Sequence, residues 1–208
     1  MRIGVDIDDV IAECAAPYLR AFAKEFGVDL GDGTLGWPLL DSFTQIPKQK
    51  KDEFRMNLYD GTFFSELECY PGCTDALPRL VAAGHEVHFI TARSERRRRI
   101  TAEWLERKGL LRHAASLQLK PIGDFVPRSY DSSGSGEYKA AVARRLELDR
   151  FCEDDPIIAR RLVDERVPVF LFDRPWNGDL AHPLVHRVRD WDEVVRELVP
   201  EHPGAQRA

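Results

Sequence analysis

Clusters of acidic residues stand at the ends of two apolar runs of this sequence. Asp6, Asp8 and Asp9 close the run RIGVDI (2–7), and Glu153, Asp154 and Asp155 follow RFC (150–152). These groups would converge at the carboxyl edge of an open α/β sheet, where ligands bind. Converging carboxylates repel each other and require a cation between them. Hard oxygen ligands favour Mg²⁺, so the sequence predicts a magnesium site.

A hydroxyl and a lysine are expected at the same edge. Thr91 follows a second apolar run, and Lys139 begins the helix that leads into the acidic run at 150–156. Lys120 also lies in this part of the chain and is the rival for the role of Lys139. A lysine and a hydroxyl beside a bound metal ion favour a phosphate as the second ligand of this site.

The elements that must position these residues alternate between strand and helix from residue 71 onward. This alternation predicts a parallel sheet with helices on both faces. The predicted strands cover 2–7, 86–90, 115–119, 150–156 and 168–173, and the predicted helices 12–26, one or two within 39–60, 71–84, 94–109, 138–148, 157–166 and 191–199. The Gly- and Ser-rich segment 130–137 is expected to form a loop.

A helical insertion interrupts this alternation after the first strand. A plain crossover needs about a dozen residues, yet a much longer, mostly helical segment separates the first two strands. We therefore predict a discontinuous core (1–11 and 71–199), a small helical cap (12–70) and a flexible tail (200–208).

The composition is that of an ordinary soluble globular protein. The chain has 208 residues, with 30 Lys and Arg against 35 Asp and Glu, so its formal charge is −5. This acidity argues against non-specific nucleic-acid binding but not against a small anionic substrate. The sequence shows no secretory signal, no membrane-spanning apolar run and no complete cysteine metal site, so we expect a reduced, cytoplasmic protein.

Four motifs together resemble the haloacid dehalogenase-like hydrolases. VDIDDVIAE, FITAR, Lys139 and FCEDDP occur in the order used by that superfamily, and the resemblance spans about residues 2–175. It implies a three-layer α/β/α, Rossmann-like core with a parallel sheet and a small helical cap of the C1 type inserted after strand one.

The phosphatase branch of this superfamily implies a role for each motif. Asp6 resembles the nucleophile that forms an aspartyl-phosphate, and Asp8 the general acid. Thr91, the amide of Ala92 and Lys139 would hold the phosphoryl group. The magnesium ligands would be Asp6, the carbonyl of Asp8 and Asp154, with Asp155 or Glu153 assisting; the sequence does not decide between Asp154 and Asp155 as the direct ligand.

Two positions depart from the common superfamily pattern. Asp9 stands where glycine is frequent, and Val10 where threonine is frequent. Valine at this position occurs in nucleotidase-like members, whereas the role of Asp9 stays open.

A narrower resemblance is to the 5′(3′)-deoxyribonucleotidases and their bacterial relatives. It rests on the helical insert, on YPGCTDALPRLVAAGHEVHFITAR with TAEWLERKGL after it, and on LFDRPWN (171–177). It implies a nucleoside monophosphate as the substrate. Aromatic residues of the insert could stack on a base, although most should form the insert's own core: Trp37, Phe43, Tyr59, Phe63 and Phe64.

Several alternatives stay open. The substrate could be a sugar phosphate, another small metabolite or a polynucleotide end, and the basic run Arg96–Arg99 could contact such an end rather than form a solvated helix face. Arg174 and Asn177 could anchor a loop or touch substrate. A nucleotide-binding module without turnover is the candidate from a different class. The sequence leaves the oligomeric state open, including a homodimer.

Overall fold

A six-stranded parallel sheet forms the centre of the molecule. The computed structural model describes residues 1–123 and 133–199; the predicted tail (200–208) and residues 130–132 of the predicted loop lie outside these ranges. The strands are β1 (Arg2–Val5), β2 (Glu86–Ser94), β3 (Ala114–Lys120), β4 (Arg150–Glu153), β5 (Val169–Phe172) and β6 (Val185–Val188). Their order is β3-β2-β1-β4-β5-β6, and every pair is parallel. The strand order therefore reverses beside β1, which places a crevice at its carboxyl end.

Helices cover both faces of the sheet. They are α1 (Ala15–Phe26), α2 (Leu39–Ser42), α3 (Lys48–Asp60), α4 (Phe63–Glu66), α5 (Cys73–Ala82), α6 (Arg98–Arg107), α7 (Ser133–Leu146), α8 (Pro156–Asp164) and α9 (Trp191–Leu198). Side chains alternate along each strand, so in β5 Phe170 and Phe172 pack with α5, α6 and α9, whereas Val169 and Leu171 pack with α7 and α8. The predicted three-layer α/β/α architecture is confirmed. No helix in the described ranges is both long enough and apolar enough to cross a bilayer.

The segment 12–70, which we call the insert, carries α1–α4. Its interior is aromatic: the ring of Tyr18 contacts Trp37, Phe54, Tyr59 and Phe63. The two ends of the insert pair where they leave the core. The amide of Glu13 donates to the carbonyl of Glu68 (2.9 Å), and the amide of Tyr70 to that of Ile11 (2.7 Å).

Some predicted element boundaries differ from the structure. β2 continues to Ser94, with a register shift against β3 between Thr91 and Ser94, so Thr91 lies within the strand rather than after it. The loop predicted over 133–137 is wrong, because α7 begins at Ser133. A Cβ on Gly136 would lie 3.2 Å from Cβ of Arg161, so the small residue lets α7 pack closely on α8. Helix packing has overridden weak local propensity here.

Candidate active site

Asp6 lies directly after β1, at the point where the strand order reverses. Its amide donates to the carbonyl of Cys152 (3.0 Å), which extends the pairing of β1 with β4. Its carboxylate is buried, and Oδ2 accepts from Nζ of Lys139 at 2.7 Å. The other oxygen, Oδ1, is buried without a hydrogen-bond partner among the described residues. A buried oxygen of this kind is costly unless a ligand or metal uses it.

Lys139 joins two carboxylates from α7. Its side chain is fully buried, and Nζ lies 2.7 Å from both Asp6 Oδ2 and Glu153 Oε2. Burial alone would lower the pKa of Lys139, but the carboxylates of Asp6 and Glu153 outweigh it and raise that pKa. The side chain is therefore held as an ammonium. Of the two candidate lysines, Lys139 is the one that contacts Asp6.

Three carboxylates share one small volume beside this lysine. Asp6, Glu153 and Asp154 are buried, and each offers an oxygen within 4.8 Å of those of the other two. With all groups ionised, three carboxylates and one ammonium have a charge of −3 + 1 = −2. Burial is the main reason that the pKa values of all three are raised, that of Glu153 to about 8 and that of Asp154 well above its ordinary value. Oxygen ligands and this excess of negative charge fit a hard divalent cation.

Asp155 has a different task from Asp154. Its Oδ1 accepts from the amides of Ile157 (2.8 Å) and Ile158 (3.0 Å), so it caps the N-terminus of α8. Within the described residues, the carboxylate cluster contains Glu153 in place of Asp155. Of the two aspartates between which the sequence could not choose, Asp154 is the one whose carboxylate faces Asp6.

Asp8 forms an ion pair with Arg93 rather than with Lys139. Nε of Arg93 lies 3.2 Å from Oδ1 and 3.0 Å from Oδ2 of Asp8, and Nη2 lies 2.6 Å from Oδ1. About a quarter of the Asp8 side chain is exposed, against 1% of that of Arg93. FITAR contained this arginine, but nothing in the sequence pattern pairs it with Asp8.

The conformation and bonds of Asp9 account for its presence at a position where glycine is frequent. Its φ is +59°, in the left-handed region that glycine adopts most easily. Oδ1 accepts from the amides of Cys14 and Ala15, both at 3.0 Å, and Oδ2 from the indole N–H of Trp37 at 2.9 Å. These bonds satisfy amides at the start of α1 that have no partner within the helix, and they join α1 to the loop after β1. Asp9 therefore fastens the insert to the active-site loop.

Thr91 and Ala92 lie on the neighbouring strand. Thr91 is fully buried, and its Oγ1 accepts from the amide of Arg93 at 3.1 Å. Both residues sit near the carboxyl end of β2, adjacent to β1, as the phosphate-binding prediction requires. Their contact with a phosphoryl group stays a prediction.

Residues of the loop after β5 donate hydrogen bonds to Asp154 and Asp9. The indole N–H of Trp176 donates to Oδ2 of Asp154 (2.9 Å), and Nδ2 of Asn177 donates to its carbonyl (2.8 Å). Arg174 donates from Nε to the carbonyl of Asp9 (2.9 Å) and stacks on Tyr70, 4.0 Å from the ring centroid. Arg174 and Asn177 thus act as loop anchors. No sequence pattern predicts the contact of Trp176 with Asp154, a candidate metal ligand.

The basic run does not form a uniform solvated face. Arg97 is buried and bonds to Asp60 (2.7 Å) and to the carbonyl of Tyr59 (3.2 Å), whereas Arg98 and Arg99 pair with glutamates on their own helix segment. The aromatics proposed for base stacking are largely used by the insert. Phe43, Phe63 and Phe64 are buried in its core, Tyr59 packs on Phe63 and Phe64, and Trp37 packs on Tyr18.

The six-stranded parallel sheet and the carboxylates at its carboxyl edge match what the resemblance to the haloacid dehalogenase-like hydrolases implies. Residues 1–115 match the family model described as "5' nucleotidase, deoxy (Pyrimidine), cytosolic type C protein". The chain belongs to this nucleotidase family and is a phosphoric monoester hydrolase.

Individual proteins agree with this assignment. The chain is 27% identical to "Putative nucleotidase YqfW" of Bacillus subtilis, over 94% of this chain and 92% of YqfW. It is 23% identical to a Bacillus cereus relative of the same description, over 93% and 96% of the two chains. The fold resembles that of the haloacid dehalogenase-like protein SP0104 of Streptococcus pneumoniae, with a TM-score of 0.66, 15% identity, and coverage of 93% and 96%.

Proposed function

We propose that this protein is a Mg²⁺-dependent phosphatase that works through a phosphorylated Asp6, with nucleoside monophosphates as its substrates. The observation that carries the proposal is the buried, unpartnered Oδ1 of Asp6 beside three carboxylates and one ammonium. The free oxygen is available as a nucleophile, and the uncompensated charge is suited to a divalent cation.

The reaction has two steps. In the first, the Asp6 carboxylate attacks phosphorus, the ester P–O bond breaks, and Asp8, which carries a proton at the start of the cycle, gives it to the leaving oxygen. In the second, Asp8 takes a proton from water, the water oxygen attacks phosphorus, the bond between phosphorus and the Asp6 oxygen breaks, and inorganic phosphate is released. The hydroxyl of Thr91, the amide of Ala92 and the ammonium of Lys139 hold the phosphoryl oxygens.

The metal would be held by oxygens that lie near Asp6. Asp6, Asp154 and the main-chain carbonyl of Asp8 are the proposed ligands, with Glu153 beside them. Asp155 was an alternative ligand, but its bonds to the amides of α8 favour Asp154. When bound, Mg²⁺ neutralises negative charge, so that an anionic carboxylate can approach an anionic phosphate.

The substrate proposal rests on family membership and on the insert. The family model and the relatives carry nucleotidase descriptions. We assign residues 12–70 as a cap over the leaving group, and 1–11 with 71–199 as the catalytic core. A cap of this size favours a small molecule over a polymer. The buried, bonded state of Arg97 weakens the case for a polynucleotide end.

Substitution of the nucleophile tests the mechanism. Asp6→Asn should abolish phosphate release from p-nitrophenyl phosphate in Mg²⁺, with a loss of at least about 10⁴-fold, because the amide cannot form the intermediate. Asp192→Asn, an exposed change on α9, is the matched control and should retain activity. Activity in Asp6→Asn would contradict the mechanism.

A substrate panel tests specificity. Nucleoside monophosphates should turn over faster than sugar phosphates and 5′-phosphorylated oligonucleotides. Preference for either of the latter would replace the nucleotide assignment while keeping the chemistry. If the purified protein binds Mg²⁺ and nucleotide but releases no phosphate from any substrate, it is a binding module.

A further inference from the structure

Arg93 connects the loop of Asp8 to the insert. Its guanidinium contacts both carboxylate oxygens of Asp8 through Nε and Nη2. Its carbon Cζ lies 4.0 Å from the ring centroid of Phe64 on α4, and Nη1 lies 3.4 Å from Oγ1 of Thr101 on α6. The three nitrogens and one face of the guanidinium therefore contact different parts of the fold.

This environment fixes the guanidinium before any substrate binds. The Arg93 side chain is 1% exposed, so if it moved away from Asp8 its charge would be buried without a partner. The backbone amide of Arg93 is also fixed, since it donates to Oγ1 of Thr91. An aromatic face such as that of Phe64 holds a planar guanidinium in a way that it would not hold an ammonium.

A fixed guanidinium also fixes the carboxylate that it contacts. Donors to both oxygens of Asp8 set the plane of that carboxylate and its rotation about χ2. Oδ1 of Asp8 accepts from both Nε and Nη2 of Arg93, whereas Oδ2 accepts from Nε alone and keeps a lone pair that Arg93 does not use. About a quarter of the Asp8 side chain is exposed, so Asp8 stays accessible while Arg93 holds its plane.

We propose that Arg93 is a positioning residue, which holds Oδ2 of Asp8 toward the leaving-group oxygen and then toward the attacking water. The proposal rests on the proposed function, in which Asp8 transfers those two protons. Phe64 extends the effect to the insert, because the ring that supports the guanidinium belongs to α4.

The chemical consequence is a dependence on the leaving group. An alkoxide must receive the Asp8 proton as the ester bond breaks, whereas p-nitrophenolate leaves without one. General acid catalysis contributes roughly 10²–10⁴-fold, and a small misplacement of a catalytic group costs about 10²-fold. Misdirecting Asp8 should thus affect an alkyl phosphate more than an aryl phosphate.

The experiment compares Arg93→Met and Arg93→Lys with Arg97→Met. Arg97 is the matched control, since it is another buried arginine that ties α3 of the insert to the core but does not touch Asp8. We expect Arg93→Met to lower kcat/KM, which reports the steps up to departure of the leaving group, by about 100-fold for benzyl phosphate and by about 10-fold for p-nitrophenyl phosphate. Inhibition by inorganic phosphate should change less than about threefold. Arg97→Met should affect both substrates equally.

Arg93→Lys covers the case in which Arg93→Met does not fold. Lysine keeps the charge but lacks the rigid planar donor fork that sets the carboxylate plane, so the same selective loss on benzyl phosphate is expected. Equal losses on the two substrates, or a selective loss in Arg97→Met as well, would overturn the positioning role. Failure of the proposed function gives a different result, namely phosphate release by Asp6→Asn.

Discussion

Asp6 and Asp8 are two residues apart, yet the charges that surround their carboxylates are balanced differently. Among the described residues, the group around Asp6 has three carboxylates against the ammonium of Lys139. Asp8 contacts the guanidinium of Arg93, so with both groups ionised that pair is neutral. The comparison suggests that the first group is completed by a cation from solution, whereas the second is complete in the folded chain.

Replacing Lys139 should have the largest effect, because it changes the charge balance around Asp6 and leaves that around Asp8 as it is. Lys139→Met would leave Asp6 and Glu153 buried without their common partner. We expect about 3–5 kcal/mol of lost stability and a loss of kcat of at least about 10³-fold, because the phosphoryl group also loses its cation. Chemical denaturation and steady-state kinetics measure the two effects. Lys120→Met is the matched control and should retain both properties.

Metal should stabilise the protein more strongly at high pH than at low pH. Burial raises the pKa of Glu153 to about 8 from an ordinary 4.5. Between these values the folded chain holds a proton that the unfolded chain releases, so metal-free stability falls as pH rises through this window. The raised pKa of Asp154 acts in the same direction, while the raised pKa of Lys139 matters only above about pH 10.

A bound cation favours the ionised carboxylates and should remove this loss. Saturation at 100 times Kd contributes about 2.7 kcal/mol, equivalent to a rise in Tm of roughly 5–10 °C for a chain of this size. Thermal unfolding in EDTA and in excess Mg²⁺ at about pH 5.5 and about pH 8 checks the prediction. An equal rise at both pH values would show that the cluster does not bind the metal.

Trp176→Phe should sharpen the comparison with a smaller effect. It removes the N–H bond to Oδ2 of Asp154 and keeps an aromatic ring against Gly36, where a Cβ would lie 2.8 Å from Cε3 of the indole. We expect Mg²⁺ affinity to fall about tenfold, measured by titration calorimetry. Trp37→Phe is the matched control, since its indole bonds to Asp9 instead. An equal fall in both variants would assign the effect to the insert.

The sheet was largely predictable because its strands are apolar runs bounded by acids and turns. The edge strand β6 was missed, since VHRV is polar and short and its neighbours supply the pairing. The start of α7 was missed because Gly136 satisfies close packing against α8 rather than helix propensity. These errors share a cause: long-range contacts decide the local structure.

In the site, residues that follow strands were predictable, and residues that support them were not. Motif order pointed to Asp6, Lys139 and Asp154 at one sheet edge. No local pattern links Arg93 to Asp8 or Trp176 to Asp154, which are 85 and 22 residues apart in sequence. The role of Asp9 became evident only from its positive φ and its bonds to α1.

The central claim is that Asp6 carries the phosphoryl group, and mapping the phosphoenzyme tests it most directly. Asp6, Asp8 and Asp9 all lie in the tryptic peptide Ile3–Arg20. The protein would be quenched during turnover of p-nitrophenyl phosphate in Mg²⁺, reduced with borohydride and sequenced by mass spectrometry. We expect homoserine at position 6, the reduction product of an aspartyl-phosphate. Homoserine at another position, or none while phosphate is being released, would contradict the account.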